Sequence, residues 1–115
     1  MMGEWILRPA RKGDLTSVRR LVEQCDLSPD GIEEQLDRGY IVAEMNGEIV
    51  GVAGIEEHGA RGLLRSVAVA PPLHGAGLGG VLVEERIEWA EYRRLESVHL
   101  LTTAILMKLA RGGAR

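Results

Sequence analysis

The sequence contains very few aromatic residues and a single cysteine. Among its 115 residues it has no phenylalanine, two tryptophans, two tyrosines and one cysteine. With so few rings, the core must be built from leucine, valine, isoleucine and alanine. Cys25 cannot form an internal disulfide, and it ends an apolar helical stripe. We therefore predict a buried structural thiol rather than a nucleophile.

The chain also lacks an excess of basic charge and long apolar runs. Its formal net charge is −3, which argues against a nucleic-acid partner, since such proteins carry basic patches. No stretch approaches the roughly 18 apolar residues of a membrane span, and the first residues do not resemble a secretory signal. We expect a cytoplasmic protein that binds neither nucleic acid nor membrane.

The length and composition predict one folded domain over residues 1–115. The chain is 45% hydrophobic and 27% charged, which is typical of a soluble globular protein. It is long enough for one core but too short for two. No internal repeat or linker interrupts it, and we predict no metal site.

The first third of the chain predicts one strand and two helices. Residues 4–9 are short, apolar-rich and end at a proline, as a strand would. Asp14 is a candidate cap for a helix with apolar positions Leu15, Val18, Leu21, Val22 and Cys25. Ser28, Pro29 and Gly39 then predict the cap, the first residue and the end of a second, short helix.

The remainder predicts a strand meander, a helix and a last strand. The runs YIVAEM and EIVGVAGIEE flank Asn46-Gly47, a strong hairpin signal, and LLRSVAVA adds a further antiparallel strand. A helix follows over about 78–93, with Val81, Leu82, Ile87 and Trp89 as buried candidates. SVHLLT then predicts a parallel strand. The order β-α-α-β-β-β-α-β indicates an α/β fold of three α-β-α layers around a mixed, mostly antiparallel sheet.

The loop PPLHGAGLGG, at positions 71–80, carries the clearest chemical signal. Read from Gly75 it fits G-x-G-x-x-G, the spacing of a dinucleotide-binding turn. That turn must follow its strand directly and needs an acidic residue at the end of the next strand. Here four residues, Pro71 to His74, intervene, and the next strand ends in Leu-Thr-Thr. We therefore predict neither a nicotinamide nor a flavin cofactor.

A second interpretation of the same loop is a pyrophosphate cradle. Glycines between a strand and an amphipathic helix let backbone N–H groups converge at the helix N-terminus, where the helix dipole favours an anion. The structural alternative is a glycine-rich turn that only connects strand to helix.

The segment RSVAVAPPLHGAGLGGVLVEERIEWA resembles the GCN5-related N-acetyltransferases. In that family an Arg/Gln-x-x-Gly-x-Gly/Ala loop follows a Val-x-Val-x-Pro strand. The likeness extends to about residues 5–103, because three further segments share it: LRPARKGDLTSVRRLVEQ, YIVAEMNGEIVGVAGIE and ESVHLLTT. Within the family, the likeness is greatest to small acetyltransferases found with arsenic-resistance genes. The segments that carry this likeness are VGVAGIEEHG, LLRSVAVAP and HLLTT.

The resemblance implies acetyl-CoA as co-substrate. The backbone of Val67 and Val69, on either side of Ala68, would bind the pantetheine arm and the thioester carbonyl. The pyrophosphate would lie against the glycine loop, whose implied contact residues are His74, Gly75, Ala76, Gly77, Leu78, Gly79 and Gly80. His74 stands where the family usually has Arg or Gln, and a histidine is a less dependable phosphate donor.

The resemblance also implies an acceptor site for a small-molecule amine. The strand-four glutamate that many relatives use as base is replaced by Leu63 or Leu64, so Glu56 becomes the candidate base. Arg65 and Ser66 would face the acceptor, with the arginine binding an anion. The alternatives are an exposed strand-end glutamate, an arginine in a surface ion pair and, for His58, a solvated turn residue.

The C-terminal tail departs from the family pattern. The usual general acid is a tyrosine after LLTT, yet no tyrosine follows Tyr92, which lies on the glycine-loop helix. AILMKLARGGAR predicts about two helical turns in place of the family's last two strands. An uncovered last strand would be an apolar edge, so we expect a homodimer. A non-catalytic acyl-CoA-binding module and a truncated product of a frameshifted gene are the alternatives to an active acetyltransferase.

Overall fold

The computed structural model describes residues 4–100 and the strand at 105–108. In chain order its elements are β1 (Ile6–Pro9), α1 (Leu15–Gln24), α2 (Ile32–Gly39), β2 (Tyr40–Met45), β3 (Glu48–His58), β4 (Arg61–Val69), α3 (Leu78–Tyr92), β5 (Ser97–Leu100) and β6 (Ile105–Lys108). Short 3-10 turns precede α1 at Lys12–Asp14 and α3 at Pro71–Leu73. Among these residues, no helix is long and apolar enough to cross a membrane.

The strands form one sheet with helices on both faces. The strand order is β1-β2-β3-β4-β5-β6, and every neighbouring pair is antiparallel except β4 with β5, which is parallel. Helices α1 and α2 pack on one face, where Val42, Val52 and Ala68 belong to their core. Helix α3 packs on the other face. This arrangement confirms the predicted three-layer α/β fold.

The approach of α3 to the sheet depends on a glycine in β3. A Cβ at Gly51 would lie 2.9 Å from Leu82 Cδ1 and 3.0 Å from Leu78 Cδ2. Both leucines are fully buried, so the first turns of α3 rest directly on the sheet at this point. The glycine loop is therefore held close to the end of β4.

The hairpin prediction is confirmed by the backbone of its turn. Asn46 and Gly47 both have positive φ, +53° and +81°, as a two-residue type I′ turn requires. Strand β3 pairs antiparallel with β2 on one side and with β4 on the other.

The predicted start of α1 after Asp14 is confirmed, but the predicted cap contact of Asp14 and the predicted start of α2 are wrong. Asp14 precedes α1, but its carboxylate accepts hydrogen bonds from Arg8 and the Arg11 N–H rather than from α1. Helix α2 begins at Ile32, because Ser28 Oγ instead accepts the Asp30 N–H at 3.1 Å in a local turn. Such side-chain bonds compete with helix formation.

One predicted buried position in α3 is wrong. Val81 is 39% exposed, whereas Arg86 is 5% exposed. The Arg86 guanidinium donates to the Gly39 carbonyl at 2.8 Å, pairs with Glu85, and lies over the Trp89 ring at 4.8 Å. An arginine with that many partners can occupy a buried position that hydrophobic spacing assigns to apolar side chains.

The predicted helix in the tail is wrong where the structure describes it. Residues 105–108 form β6, which pairs antiparallel with β5. Periodicity cannot distinguish a short apolar run in a strand from one in a helix, and the open side of β5 supplies the strand partner. Strand β5 is therefore not an edge, which removes the reason for the predicted homodimer. The rest of the predicted helix lies outside the described residues.

Candidate active site

An opening forms where β4 separates from β5. The two strands pair from Arg61 opposite Ser97 to Leu64 opposite Leu100, while β4 continues to Val69. Beyond Leu64, none of the residues that the structure describes pairs with β4 on this side. The second half of β4 therefore offers backbone polar groups to a ligand that lies along it as a further strand.

Val69 directs its polar groups toward this opening. The Ala70 N–H donates to the Val50 carbonyl at 2.8 Å, and neighbouring residues of an antiparallel ladder point their polar groups to opposite sides. The Val69 carbonyl accepts a hydrogen bond from His74 Nε2 at 2.8 Å and a weak one from Cys25 Sγ at 3.5 Å. Since a carbonyl has two lone pairs, only the Val69 N–H is left for a ligand.

Cys25 and Ala68 have structural rather than ligand-facing positions. The Cys25 side chain is half-buried beside the α1 and α2 core, so it is less buried than predicted. Ala68 is 3% exposed, packs in the same core and pairs with Val52 of β3. Of the predicted cofactor residues on β4, Val67 and Val69 are therefore the ones placed to face the opening.

The glycine loop leads directly from β4 to the N-terminus of α3. Gly75 and Gly77 have φ values of +86° and +87°, and Gly77 precedes the first helical residue. Only glycine adopts such values without steric cost. Added Cβ atoms at Gly75, Gly77 and Gly80 would meet nothing within 4 Å, and one at Gly79 would make only an ordinary contact. The space above this loop is open.

The same loop carries a cluster of unused hydrogen-bond donors. Within the described ranges, the following backbone N–H groups have no hydrogen-bond partner: Gly75, Gly77, Leu78, Gly79 and Gly80. The Ala76 N–H donates to the Leu73 carbonyl, and the Leu78 side chain is buried. No acidic residue occupies the first turn of α3. The loop is suited to an anion.

His74 makes a hydrogen bond within the chain, to the carbonyl of the last residue of β4. Its ring Nε2 must be the donor to the Val69 carbonyl, because a carbonyl only accepts. A neutral ring in that tautomer presents only the lone pair of Nδ1 to a phosphate. The donors that this loop leaves free are therefore backbone N–H groups.

Glu56 and Arg65 lie together on the face of the sheet that carries α1 and α2. Arg65 Nη1 is 2.6 Å from Glu56 Oε2, and the two side chains are 14% and 13% exposed. Arg65 Nη2 also donates to the Asp30 carbonyl, in the loop between α1 and α2. His58 Nε2, on a largely exposed ring, is 3.3 Å from Glu56 Oε1. Glu56 is therefore a partnered carboxylate rather than a free strand-end one.

Ser66 lies in a bulge beside this cluster. Its φ is +59°, and its Oγ is 2.9 Å from the hydroxyl of Tyr40, a buried residue of β2. Burial raises the pKa of Tyr40, opposed by its hydrogen bond to Ser66. The sequence pattern predicts Ser66 on the acceptor side but does not indicate Tyr40. The only signal for Tyr40 was an aromatic residue at the start of a strand.

Comparisons with known proteins agree with this geometry. Residues 2–110 match the model of the acetyltransferase (GNAT) family. The acetyltransferase ECA0875 of Pectobacterium atrosepticum is 32% identical over 104 residues, which cover 83% of this chain and 74% of that protein.

Two solved structures share the fold. Rv2747 of Mycobacterium tuberculosis, solved with CoA and a second ligand, has a TM-score of 0.73 and 25% identity, over 83% of this chain and 63% of its own. Diaminobutyrate acetyltransferase EctA of Paenibacillus lautus, solved with L-2,4-diaminobutyric acid and CoA, has a TM-score of 0.74 and 19% identity. The match covers 85% of this chain and 65% of EctA.

This chain thus spans less than two thirds of either solved structure. The matched family model nevertheless covers all of the described residues, including β4, the glycine loop and α3. GNAT acetyltransferases use acetyl-CoA as their co-substrate. The chain belongs to the GNAT family of acetyltransferases.

Proposed function

We propose that this chain transfers the acetyl group of acetyl-CoA to the amino group of a small molecule. One observation carries the proposal: β4 leaves β5 after Leu64, and the glycine loop with its unpartnered N–H groups follows directly. An extended pantetheine chain that ends in a pyrophosphate fits this combination of open strand and anion-binding loop.

The cofactor is held mainly by backbone groups in this proposal. The N–H groups of Gly75 and Gly77 to Gly80 bind the pyrophosphate, and the open space over the glycines admits its oxygens. The Val67 N–H faces the thioester carbonyl, while the Val67 carbonyl and the Val69 N–H bind the pantetheine amides. His74 stabilises the end of β4 through the Val69 carbonyl and makes at most a secondary phosphate contact.

The acceptor amine reaches the thioester from the side of the α1–α2 loop. Its nitrogen forms a bond to the acetyl carbon, the bond from that carbon to sulfur breaks, and the thiolate takes up the second proton that the nitrogen gives up as the amide forms. The ammonium proton of the acceptor passes to Glu56, directly or through one water. His58, 64% exposed and in contact with Glu56, connects this carboxylate to the solvent.

Arg65 and Ser66 are the acceptor-facing residues of the proposal. Arg65 Nη1 donates one N–H to Glu56, and Nη2 donates one to the Asp30 carbonyl. Each of these two nitrogens keeps a second N–H for an anionic group of the acceptor. The resemblance to arsenic-associated acetyltransferases favours an amino-acid-like acceptor, and we place the reaction in the cytoplasm.

Calorimetric titration with acetyl-CoA, followed by thiol-release assays, tests the proposal. The amine panel comprises an arsenical amino acid, common amino acids, an aminoglycoside, a polyamine and a peptide N-terminus. We expect binding below millimolar concentration and amine-dependent release of the CoA thiol. Absence of binding up to millimolar concentration would overturn the proposal. Tight binding without release for any amine would support an acyl-CoA-binding module instead.

A further inference from the structure

Tyr40, Gly54 and Ser66 lie in one row across three neighbouring strands. Tyr40 of β2 is opposite Gly54 of β3, and Gly54 is opposite Arg65 of β4, the residue before Ser66. A Cβ at Gly54 would overlap the Tyr40 ring. Because β3 has no side chain there, the ring crosses the strand, and its hydroxyl lies 2.9 Å from Ser66 Oγ.

Ser66 needs such support, because its backbone is strained. Ser66 and Val67 together oppose Ala53, since the register shifts between Val52 opposite Ala68 and Gly54 opposite Arg65. Ser66 has the left-handed φ of +59° that usually requires glycine at this kind of bulge. A residue keeps such torsions only when its surroundings hold it there.

The bulge lies at the point where β4 leaves β5. Leu64 is the last residue of β4 that pairs with β5, and Ser66 follows two positions later. The torsions of Ser66 orient the peptide group between Ser66 and Val67, and therefore the direction of the Val67 N–H. Under the proposed function, that N–H faces the thioester carbonyl.

The geometry points to Tyr40 and Ser66 as positioning residues for the thioester. Their hydrogen bond holds Ser66 in the left-handed conformation and thereby directs the Val67 N–H at the carbonyl oxygen that becomes negative during attack. Arg65 Nε, 3.4 Å from Ser66 Oγ, adds a weaker contact from the same side. The inference rests on the proposed function, since only an acetyl donor supplies that carbonyl.

Four variants test the inference: Tyr40→Phe, Ser66→Gly, the double variant, and Tyr92→Phe. Tyr92 is 85% exposed on α3 and serves as the matched tyrosine control. We expect Tyr40→Phe to lower kcat for thiol release about tenfold, less than the loss of an oxyanion donor itself. Its Kd for free CoA, which has no thioester carbonyl, should be unchanged.

The decisive comparison is made in the Ser66→Gly background. Glycine adopts positive φ without a hydroxyl anchor, so Tyr40→Phe should have no further effect on kcat there. A purely structural role of Tyr40 would instead lower stability and kcat in both backgrounds. That result, or a kcat for Tyr40→Phe within twofold of the unmodified protein, overturns the inference.

Nuclear magnetic resonance of the free protein gives a test that needs no turnover. The Val67 amide resonance should shift in Tyr40→Phe relative to the unmodified protein. In the double variant it should have the same position as in the Ser66→Gly single variant. An unmoved Val67 resonance in Tyr40→Phe overturns the inference. If the resonance moves but acetyl-CoA does not bind, the anchor stands and the proposed function fails.

Discussion

The guanidinium of Arg65 connects Glu56 of β3 to the Asp30 carbonyl of the α1–α2 loop, with Nη1 2.6 Å from Glu56 Oε2. Gly31 lies beside this contact: its φ is +82°, and a Cβ there would come within 3.1 Å of Arg65 Nη1. The loop, the arginine and the candidate base therefore form one unit. Substitutions at Glu56 and Arg65 should separate chemistry from positioning.

Glu56→Gln should remove most of the activity and leave the cofactor site intact. A glutamine accepts no proton, so we expect kcat to fall about 100-fold or more, the usual contribution of a general base. The Kd for acetyl-CoA should not change. The matched control is Glu57→Gln, whose carboxylate pairs with Arg93 on the surface. Equal losses of kcat in both variants would show that Glu56 is not the base.

Arg65→Lys should loosen the α1–α2 loop. A lysine cannot reproduce the planar contacts to Glu56, Asp30 and Ser66. The free energy of unfolding should fall by about 1–3 kcal/mol, the cost of leaving a mostly buried polar partner unsatisfied. The KM for the amine should rise more than the KM for acetyl-CoA. Urea unfolding and steady-state kinetics measure the two effects.

Arg93→Lys is the control for this substitution. Arg93 is 49% exposed and pairs with Glu57, and exposed ion pairs contribute about 0–1 kcal/mol. We expect no measurable change in the amine KM. A loss of stability at Arg93 as large as that at Arg65 would argue that Arg65 makes no special connection to the loop.

The element order and the glycine loop could be predicted because their signals are local. The hairpin turn requires positive φ at two neighbouring positions, which Asn46 and Gly47 occupy. The glycine loop requires positive φ at the positions of Gly75 and Gly77. Hydrophobic spacing predicts the strands and helices between these turns. The assignment of residues 105–108 failed because a short apolar run takes its conformation from its partner, and that partner, β5, is set by the fold.

The candidate site was predictable only as a set of residues, not as a set of contacts. Glu56, Arg65 and Ser66 were identified, but their pairing depends on the register of β3 with β4. The row from Tyr40 over Gly54 to Ser66 depends on two registers at once and on a bulge. The donation from His74 to Val69 likewise depends on the path of the loop after β4.

Gly80→Ala should affect stability and cofactor binding in opposite directions. The site of the new methyl group is open, and alanine is favoured over glycine in a helix by about 0.5–1 kcal/mol. The melting temperature should rise. The methyl group also occupies space proposed for the pyrophosphate, so the Kd for acetyl-CoA should increase at least severalfold, whereas the affinity for acetyl-pantetheine, which lacks the pyrophosphate, should not change.

Gly77→Ala distinguishes conformational strain from loss of space. At a φ of +87° an alanine is strained, and we expect a loss of about 1–2 kcal/mol in the free energy of unfolding. Both glycine variants should weaken acetyl-CoA binding, but only this one should lower the melting temperature. If Gly80→Ala binds acetyl-CoA as the unmodified protein does, the pyrophosphate does not lie over the first turn of α3.

The Arg8–Asp14 pair should make stability depend on pH in the acid range. Arg8 donates two hydrogen bonds to the Asp14 carboxylate, at 2.8 and 3.0 Å. These bonds lower the pKa of Asp14, although burial opposes the shift. A carboxyl with a lowered pKa stabilises the folded state above its unfolded pKa of about 3.9, and this contribution is lost as the pH falls through the folded pKa.

Urea unfolding of the Asp14→Asn variant between pH 6 and pH 2 measures this contribution. At about pH 6 the variant should be less stable than the unmodified protein, because the charged pair is gone. The difference should shrink below about pH 4, where the unfolded chain binds a proton at Asp14 before the native carboxylate does, and vanish once the pH falls through the lower folded pKa. Asp37→Asn is the control, since Asp37 makes no hydrogen bond or ion pair with any described residue and should give no such pH-dependent difference. The contrary result is a difference in free energy of unfolding between Asp14→Asn and the unmodified protein that stays constant down to pH 2. In that case the Arg8–Asp14 pair does not anchor β1 to the start of α1 through charge.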